Sequence, residues 1–285
     1  MAKPVIKNQP SRRSFIRTIS LGSLFLLSGD WVKLNAAEVY RLRKKVRLRF
    51  AVASDAHYGQ PKTDYDGMLQ QCLTHINRFH TNNPLDFCVI NGDIIHNEPS
   101  FLPLAKQKID QLQMPWLVTR GNHDMVNGET WQSTFQMPLN HDRVFKKTAL
   151  LLGDTSNEKG TYLSPDLVWL KEKLDAYSHL DSVFLFLHIP QAPWTKNAVD
   201  TPAFFELIDQ YPNIRAVFHG HEHDQDGMIR HKQVPFFFDA HIGGSWGTTY
   251  QGFRVVELLN DHSLLTYMLN PTEKMNEERI AHQTS

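Results

Sequence analysis

The chain has 285 residues, with 30 Lys and Arg against 30 Asp and Glu. That length fits one large domain with a substantial core, and the composition excludes a disordered chain or a membrane bundle. A formal charge of zero leaves no basic footprint for nucleic acid, while 15 histidines are an excess that points to metal ligation or proton transfer.

The N-terminus reads as an address. SRRSFIR at 11–17 precedes an apolar run, Ile19 to Leu27, with small residues at Ala36 and Ala37. The run is too short to span a bilayer and fits a signal-peptide core. The paired Arg12 and Arg13 resemble the twin-arginine export signal. The expected organisation is a leader at 1–37 and a catalytic domain at 38–285. It implies passage through the twin-arginine export machinery to a periplasmic or other extracytoplasmic location. Membrane attachment arises only if the leader stays uncleaved, which Asn35 near the small-residue site leaves open.

A basic run, Arg41 to Arg49, leads into the first core strand with an expected solvated face. Strands are expected at 48–54, 85–90, 116–119, 148–153, 182–188 and 214–219. Helical stripes are expected at 66–79 and 102–112. A further helix is expected over 165–177, with Ser164 as cap and Pro165 in its first turn. After Met228 come short strands at 235–238, 253–258 and 264–268, then a polar tail. Cys72 and Cys88 match no zinc spacing and read as buried small hydrophobes. Alternating strands and helices followed by strands suggest an α/β domain, whose ligands sit at the carboxyl ends of its strands.

Five strand ends carry metal-compatible groups: Asp55-Ala56-His57, Gly92-Asp93, Gly121-Asn122-His123-Asp124, His188, and Gly220-His221-Glu222-His223. Each block alone has a bland reading as a turn, and Asp239-Ala240-His241 repeats the first as a decoy. Together they offer carboxylate, amide and imidazole donors without a thiolate, which suits two hard or borderline ions rather than a structural zinc.

In this order the blocks resemble the calcineurin-like metallophosphoesterase superfamily. The resemblance implies a four-layer αββα sandwich with two mixed β-sheets and a dinuclear metal centre. It implies that Asp55, His57 and His223 hold one ion, that Asn122, His188 and His221 hold the other, and that Asp93 bridges them. The metals would be Mn, Fe or Zn, with a metal-bound hydroxide attacking a phosphate ester. His123 would donate a proton to the leaving oxygen or stabilise it electrostatically, with Asp124 orienting its imidazole. His219 falls outside the family pattern and is either a packing residue or a partner to a ligand. Purple acid phosphatases carry Tyr where His96 stands, and His96 is left as a substrate contact, a weak metal ligand or a space-filling residue, with Asn91 and Arg120 as further candidate substrate contacts beside the site. Arg120 either clamps phosphate or makes an outward ion pair. Trp194, His241 and Trp246 are candidates for shaping the cleft. The expected substrate is a small phosphodiester, with a phosphomonoester or a catalytically silent metal-binding scaffold as alternatives. Diesterase and monoesterase differ in preference between bis-nitrophenyl and nitrophenyl phosphate, and a scaffold cleaves neither.

Overall fold

The structure, a computed structural model, describes residues 45–270 in full, together with the strand segments 23–27, 30–34 and 274–280. Arg12, Arg13 and the Ala36-Ala37 pair lie outside the described residues. Within the apolar run 19–27, β1 (Ser23–Leu27) pairs antiparallel with β2 (Asp30–Leu34). Among the described residues no helix is long and apolar enough to cross a membrane.

The first half of the domain runs β3 (Val46–Ala53), α1 (Tyr65–Asn82), β4 (Phe87–Asn91), α2 (Leu102–Ile109), β5 (Trp116–Thr119), α3 (Gly128–Phe135), β6 (His141–Phe145) and β7 (Thr148–Gly153). The second half runs α4 (Leu167–Ala176), β8 (Ser182–Leu187), α5 (Pro202–Ile208), β9 (Ile214–His219), β10 (Met228–His231), β11 (Val234–Phe238), β12 (Phe253–Leu259), β13 (Leu264–Leu269) and β14 (Lys274–Ile280). One sheet has the order β14-β13-β12-β3-β4-β5 and the other β10-β11-β9-β8-β7-β6. Both are mixed: β3, β4 and β5 are mutually parallel, as are β7, β8, β9 and β11, with antiparallel strands outside them.

Side-chain alternation along the strands builds the layers. In β3, Leu48, Phe50 and Val52 face the space between the sheets, where Phe87, Phe184, Phe186 and Phe218 meet them. Ala51 and Ala53 face outward beneath Leu69, Leu73 and Ile76 of α1, Leu102 of α2 and Trp131 of α3. On the far side, Leu170 and Leu174 of α4 and Phe204 of α5 cover Val183, Leu185 and Leu187 of β8. The result is the α/β four-layer αββα sandwich with two mixed sheets.

Three expectations need correction. α4 starts at Leu167, not Pro165, because the Asp166 carboxylate accepts the N–H groups of Val168 and Trp169 at 3.0 Å, while Ser164 Oγ turns to the Pro165 carbonyl. The basic face of β3 is paired rather than simply solvated: Arg49 Nε donates to Glu257 Oε1 at 2.7 Å, and Arg47 Nη1 to Asp181 Oδ2 at 2.8 Å. The polar tail contributes a strand, β14, at the edge of its sheet. Cys72 and Cys88 are both buried and free, and burial pushes the Cys72 thiol up to about 12.

Candidate metal centre

Parallel strands from both sheets end at one rim. Asp55 and His57 follow β3, Asp93 follows β4, Asn122 to Asp124 follow β5, His188 follows β8, and His221 and His223 follow β9. The donor atoms of Asp55, His57 and His223 lie within 4.8 Å of one another, and so do those of Asp93, His188 and His221. Asp93 stands between the sets, with Oδ2 3.2 Å from His188 Nε2 and 3.7 Å from His57 Nε2.

The backbone is bent to achieve this. Asp55, His57, Asp93 and His221 all have φ between 43° and 67°, a left-handed conformation that non-glycine residues rarely adopt. Such strain persists only where surrounding structure holds it, and it gathers at functional sites. The motif glycines answer a second demand, for space. A Cβ at Gly92 would sit 2.3 Å from His188 Nδ1, and one at Gly220 would sit 2.7 Å from Asp55 Oδ2.

The outer nitrogens fix which way the rings point. His188 Nδ1 donates to the Asn91 carbonyl at 2.8 Å, and His223 Nδ1 to the Trp246 carbonyl at 3.1 Å. Both therefore turn Nε2 inward, the atom that a metal-ligating imidazole offers when its Nδ1 is tied to a carbonyl. The buried Nε2 atoms of His188 and His221 and the buried Oδ1 of Asn122 have no hydrogen-bond partner among the described residues. Buried polar atoms left unpaired are costly unless something else satisfies them. Three such atoms within one proposed ligand set fit a bound cation.

Electrostatics agree. Burial works against charge on Asp93, but His188 and His57 outweigh it and hold the carboxyl well below the usual range. Burial also acts to lower His188, yet the Asp93 and Asp55 carboxylates raise it to about 10, so the field there favours positive charge. Burial leaves His57 lowered to about 3 and its ring neutral.

Several single-residue roles change. Asp124 does not orient His123. Its Oδ1 accepts the Ile95 N–H and its Oδ2 the Gly121 N–H, each at 2.8 Å, and burial followed by the Asp93 charge raises it to about 7. Asn97 takes the orienting role, with Oδ1 2.6 Å from His123 Nδ1 and its N–H donating to the His123 carbonyl at 2.8 Å. An amide oxygen only accepts, so Nδ1 carries hydrogen and Nε2 is the atom left to hold or pass a second proton. Asp124 thus ties the loop after β4 to the loop after β5. Asp124→Ala should lower unfolding free energy by about 1–3 kcal/mol for each stranded N–H, measured by denaturant unfolding. An unchanged midpoint would show the two amides find other partners.

Arg120 neither clamps substrate nor reaches outward. It is buried, with Nε and Nη2 on Asp154 at 3.2 and 2.5 Å and further bonds to the carbonyls of Val126 and Ser156. Asn91 is also committed, donating to the Phe218 carbonyl and accepting from Thr119 Oγ1. His96 lies 2.9 Å from His57, Nδ1 to Nδ1, and its ring stacks on His123 at 4.9 Å. His219 is a packing residue, with Nδ1 on the Leu187 carbonyl and its ring against Phe236. The decoy separates cleanly: Asp239 is buried against Arg254 at 2.8 Å. His241 is buried and stacks on His223, and Trp194 packs on Phe205 and Phe236. Trp246 does border the centre, 4.4 Å from His223 and parallel to it. Tyr162, edge-on to His221 at 4.7 Å, had no motif to announce it.

A family model described as calcineurin-like phosphoesterase matches residues 48–225. A protein named "Probable cyclic nucleotide phosphodiesterase" from Ruthia magnifica subsp. Calyptogena magnifica is 28% identical over 165 residues, 53% of this chain and 69% of that protein. A second of the same name, from Vesicomyosocius okutanii subsp. Calyptogena okutanii (strain HA), is 27% identical over 161 residues, 53% of this chain and 65% of that protein. Among solved structures, a dimetal phosphatase from Danio rerio superposes with a TM-score of 0.69 at 13% identity, covering 84% of this chain and 100% of that one. GAP50 of Plasmodium, described as the anchor in the inner membrane complex, superposes with a TM-score of 0.64 at 15% identity, covering 85% of this chain and 90% of that one. At such identities the two superpositions speak to fold alone.

Proposed function

The chain belongs to the calcineurin-like phosphoesterase family, metal-dependent hydrolases of phosphoric esters, and on that premise we propose that its own reaction is hydrolysis of a small phosphodiester. The observation that carries the reading is the pair of converging donor sets with Asp93 between them. The names of the two sequence relatives support a diester over a monoester. Asp55, His57 and His223 would hold one ion, Asn122, His188 and His221 the other, and Asp93 both. Bound there, such ions neutralise phosphoryl charge and acidify a water. The chain's own contribution is orientation: carbonyls of Asn91 and Trp246 lock two imidazoles, and Asn97 aims His123 Nε2.

The test is a metal-reconstituted sample, loaded in turn with manganese, iron and zinc, on two substrates. Faster turnover of bis-nitrophenyl phosphate than of nitrophenyl phosphate is expected, with a chelator abolishing both. The reverse order would make the chain a monoesterase. No turnover with any metal would make it a binding scaffold.

Residues 1–37 are proposed as the export leader, on the paired Arg12 and Arg13 before an apolar run. Replacing both arginines with lysine should retain the protein in the cytoplasm on fractionation, and unchanged export would remove the proposal.

A further inference from the structure

Among the proposed metal ligands, His188 and His223 give Nδ1 to main-chain carbonyls, those of Asn91 at 2.8 Å and Trp246 at 3.1 Å. His57 differs. Its Nδ1 meets a side chain, His96, with Nδ1 to Nδ1 at 2.9 Å. At the other edge of the same ring, His57 Nε2 converges with His223 Nε2 at 2.9 Å and lies 3.7 Å from Asp93 Oδ2. A neutral imidazole carries one N–H, so a ring that gives Nε2 to a cation keeps its proton on Nδ1. Two N–H groups cannot face each other across 2.9 Å. His96 Nδ1 is therefore the acceptor, and the His96 proton sits on Nε2.

Main-chain bonds bring the two rings together. The loop after β3 runs beside the loop after β4, with His57 N–H on the Asp93 carbonyl at 2.9 Å, Tyr58 N–H on the Ile94 carbonyl at 2.9 Å and His96 N–H on the Tyr58 carbonyl at 3.0 Å. The His96 ring is closed in as well: it stacks on His123 at 4.9 Å, and Trp246 lies across it at 6.4 Å. An acceptor set in place beforehand adds affinity because little motion is lost on binding. The next residue serves a different ring, since Asn97 Oδ1 holds His123 Nδ1 at 2.6 Å. Residues 96 and 97 thus each aim one imidazole of the centre.

Resting on the two-ion reading above, we propose that His96 is a positioning residue: it accepts the Nδ1 proton of His57 and so holds His57 Nε2 on the ion shared with Asp55 and His223. The role differs from the others open to this side chain. A substrate contact would leave ion binding untouched, and a ligand to a further ion would spend on that ion the lone pair that His57 uses. The effect is confined to one ion. In the other donor set, His188 is locked by the Asn91 carbonyl, which a change at position 96 leaves in place.

The experiment titrates the metal-free full chain with zinc alone, by calorimetry. The wild type should take two ions. His96→Leu keeps the bulk without the acceptor, and should weaken one ion by about 10–100-fold, the cost of losing an outer partner to a ligand, while sparing the other. The weakened ion should be the one that Asp55→Asn strips. His96→Asn sets an amide oxygen near the place of Nδ1 and should restore most of the affinity. A second readout needs no variant: in the zinc-loaded wild type with isotopically labelled histidine nitrogens, the magnetic resonance shifts should place a proton on His57 Nδ1 and on His96 Nε2. The proposal is overturned if His96→Leu binds both ions as the wild type does, if it weakens both equally, or if His96→Asn restores nothing. It is also overturned if the shifts put the His96 proton on Nδ1, or if the wild type holds a third ion that His96→Leu loses, which would make His96 a ligand. The two readings fail separately. A wild type that takes no zinc sinks the metal centre and this inference with it; two ions held alike by wild type and His96→Leu sink this inference alone.

Discussion

Asp93→Asn is expected to release both ions while leaving the fold intact. The change is isosteric, and the oxygen that accepts the His123 N–H at 2.7 Å has an equivalent in the amide. What disappears is a charge shared by two donor sets, since Oδ2 reaches toward both His188 and His57. Loss of an outer partner to a metal ligand already costs about 10–100-fold in affinity, and removing the shared ligand itself should exceed that for both ions at once. Elemental analysis after dialysis checks it, with hydrolysis falling in parallel. Two tightly held ions in the variant would mean that Asp93 does not bridge. The control lies at Asp55, whose donor set holds only one end of the site: Asp55→Asn should strip one ion more than the other. Bound ions also stabilise the native chain, by about 2.7 kcal/mol when present at a hundred times their dissociation constant. The thermal midpoint of the wild type should accordingly fall on chelation, and that of Asp93→Asn should barely move.

The candidate donors could be picked out in the sequence because each falls within four residues of the end of a buried apolar strand. That pattern needs only local reading: LRFAVAS then Asp55, VFLFL then His188, VF then His219-Gly220-His221. The glycines mark where the chain passes too close to a ligand for any side chain. The layers were legible for the same reason, since central strands buried on both faces are continuous apolar runs. Edge strands were not. His141–Phe145, Met228–His231 and Lys274–Ile280 pair on one side only and carry polar side chains that resemble loops. The short helices Gly128–Phe135 and Pro202–Ile208 are two turns long, too brief for a periodic stripe. Partners were the deepest loss. Arg120 meets Asp154 and Asp124 meets Ile95, pairings that depend on how separate loops fold over one another. Sequence order placed Asp124 next to His123, but neighbouring residues on a tight turn point apart, so the orienting group came from Asn97 on another loop. Its one local signal was a positive φ of 66°, a conformation Asn tolerates better than most residues, and that is visible only once the fold is known.

His123→Ala is expected to keep both ions and, on a diester whose leaving group is an aliphatic alcohol, to lose about 100- to 10,000-fold in rate, the range of a positioned proton donor. None of the seven proposed donors is altered, and the bond that His123 makes to Asp93 comes from its backbone N–H, which alanine retains. The ring is half-buried at the rim, 4.8 Å from His57 and stacked on His96, so its loss opens no core cavity. Only the imidazole Nε2 is removed from the reaction. A nitrophenolate leaves without help, whereas an alkoxide needs a proton as the ester bond breaks. The loss should therefore be small on bis-nitrophenyl phosphate and large on a diester of an aliphatic alcohol. Asn97→Ala should give the same ordering at reduced size, because it frees the ring without deleting it. An equal loss across leaving groups would assign His123 to binding the phosphoryl oxygens instead of to protonation. In that event Asn97→Ala should raise KM and spare kcat, which the same assays read directly.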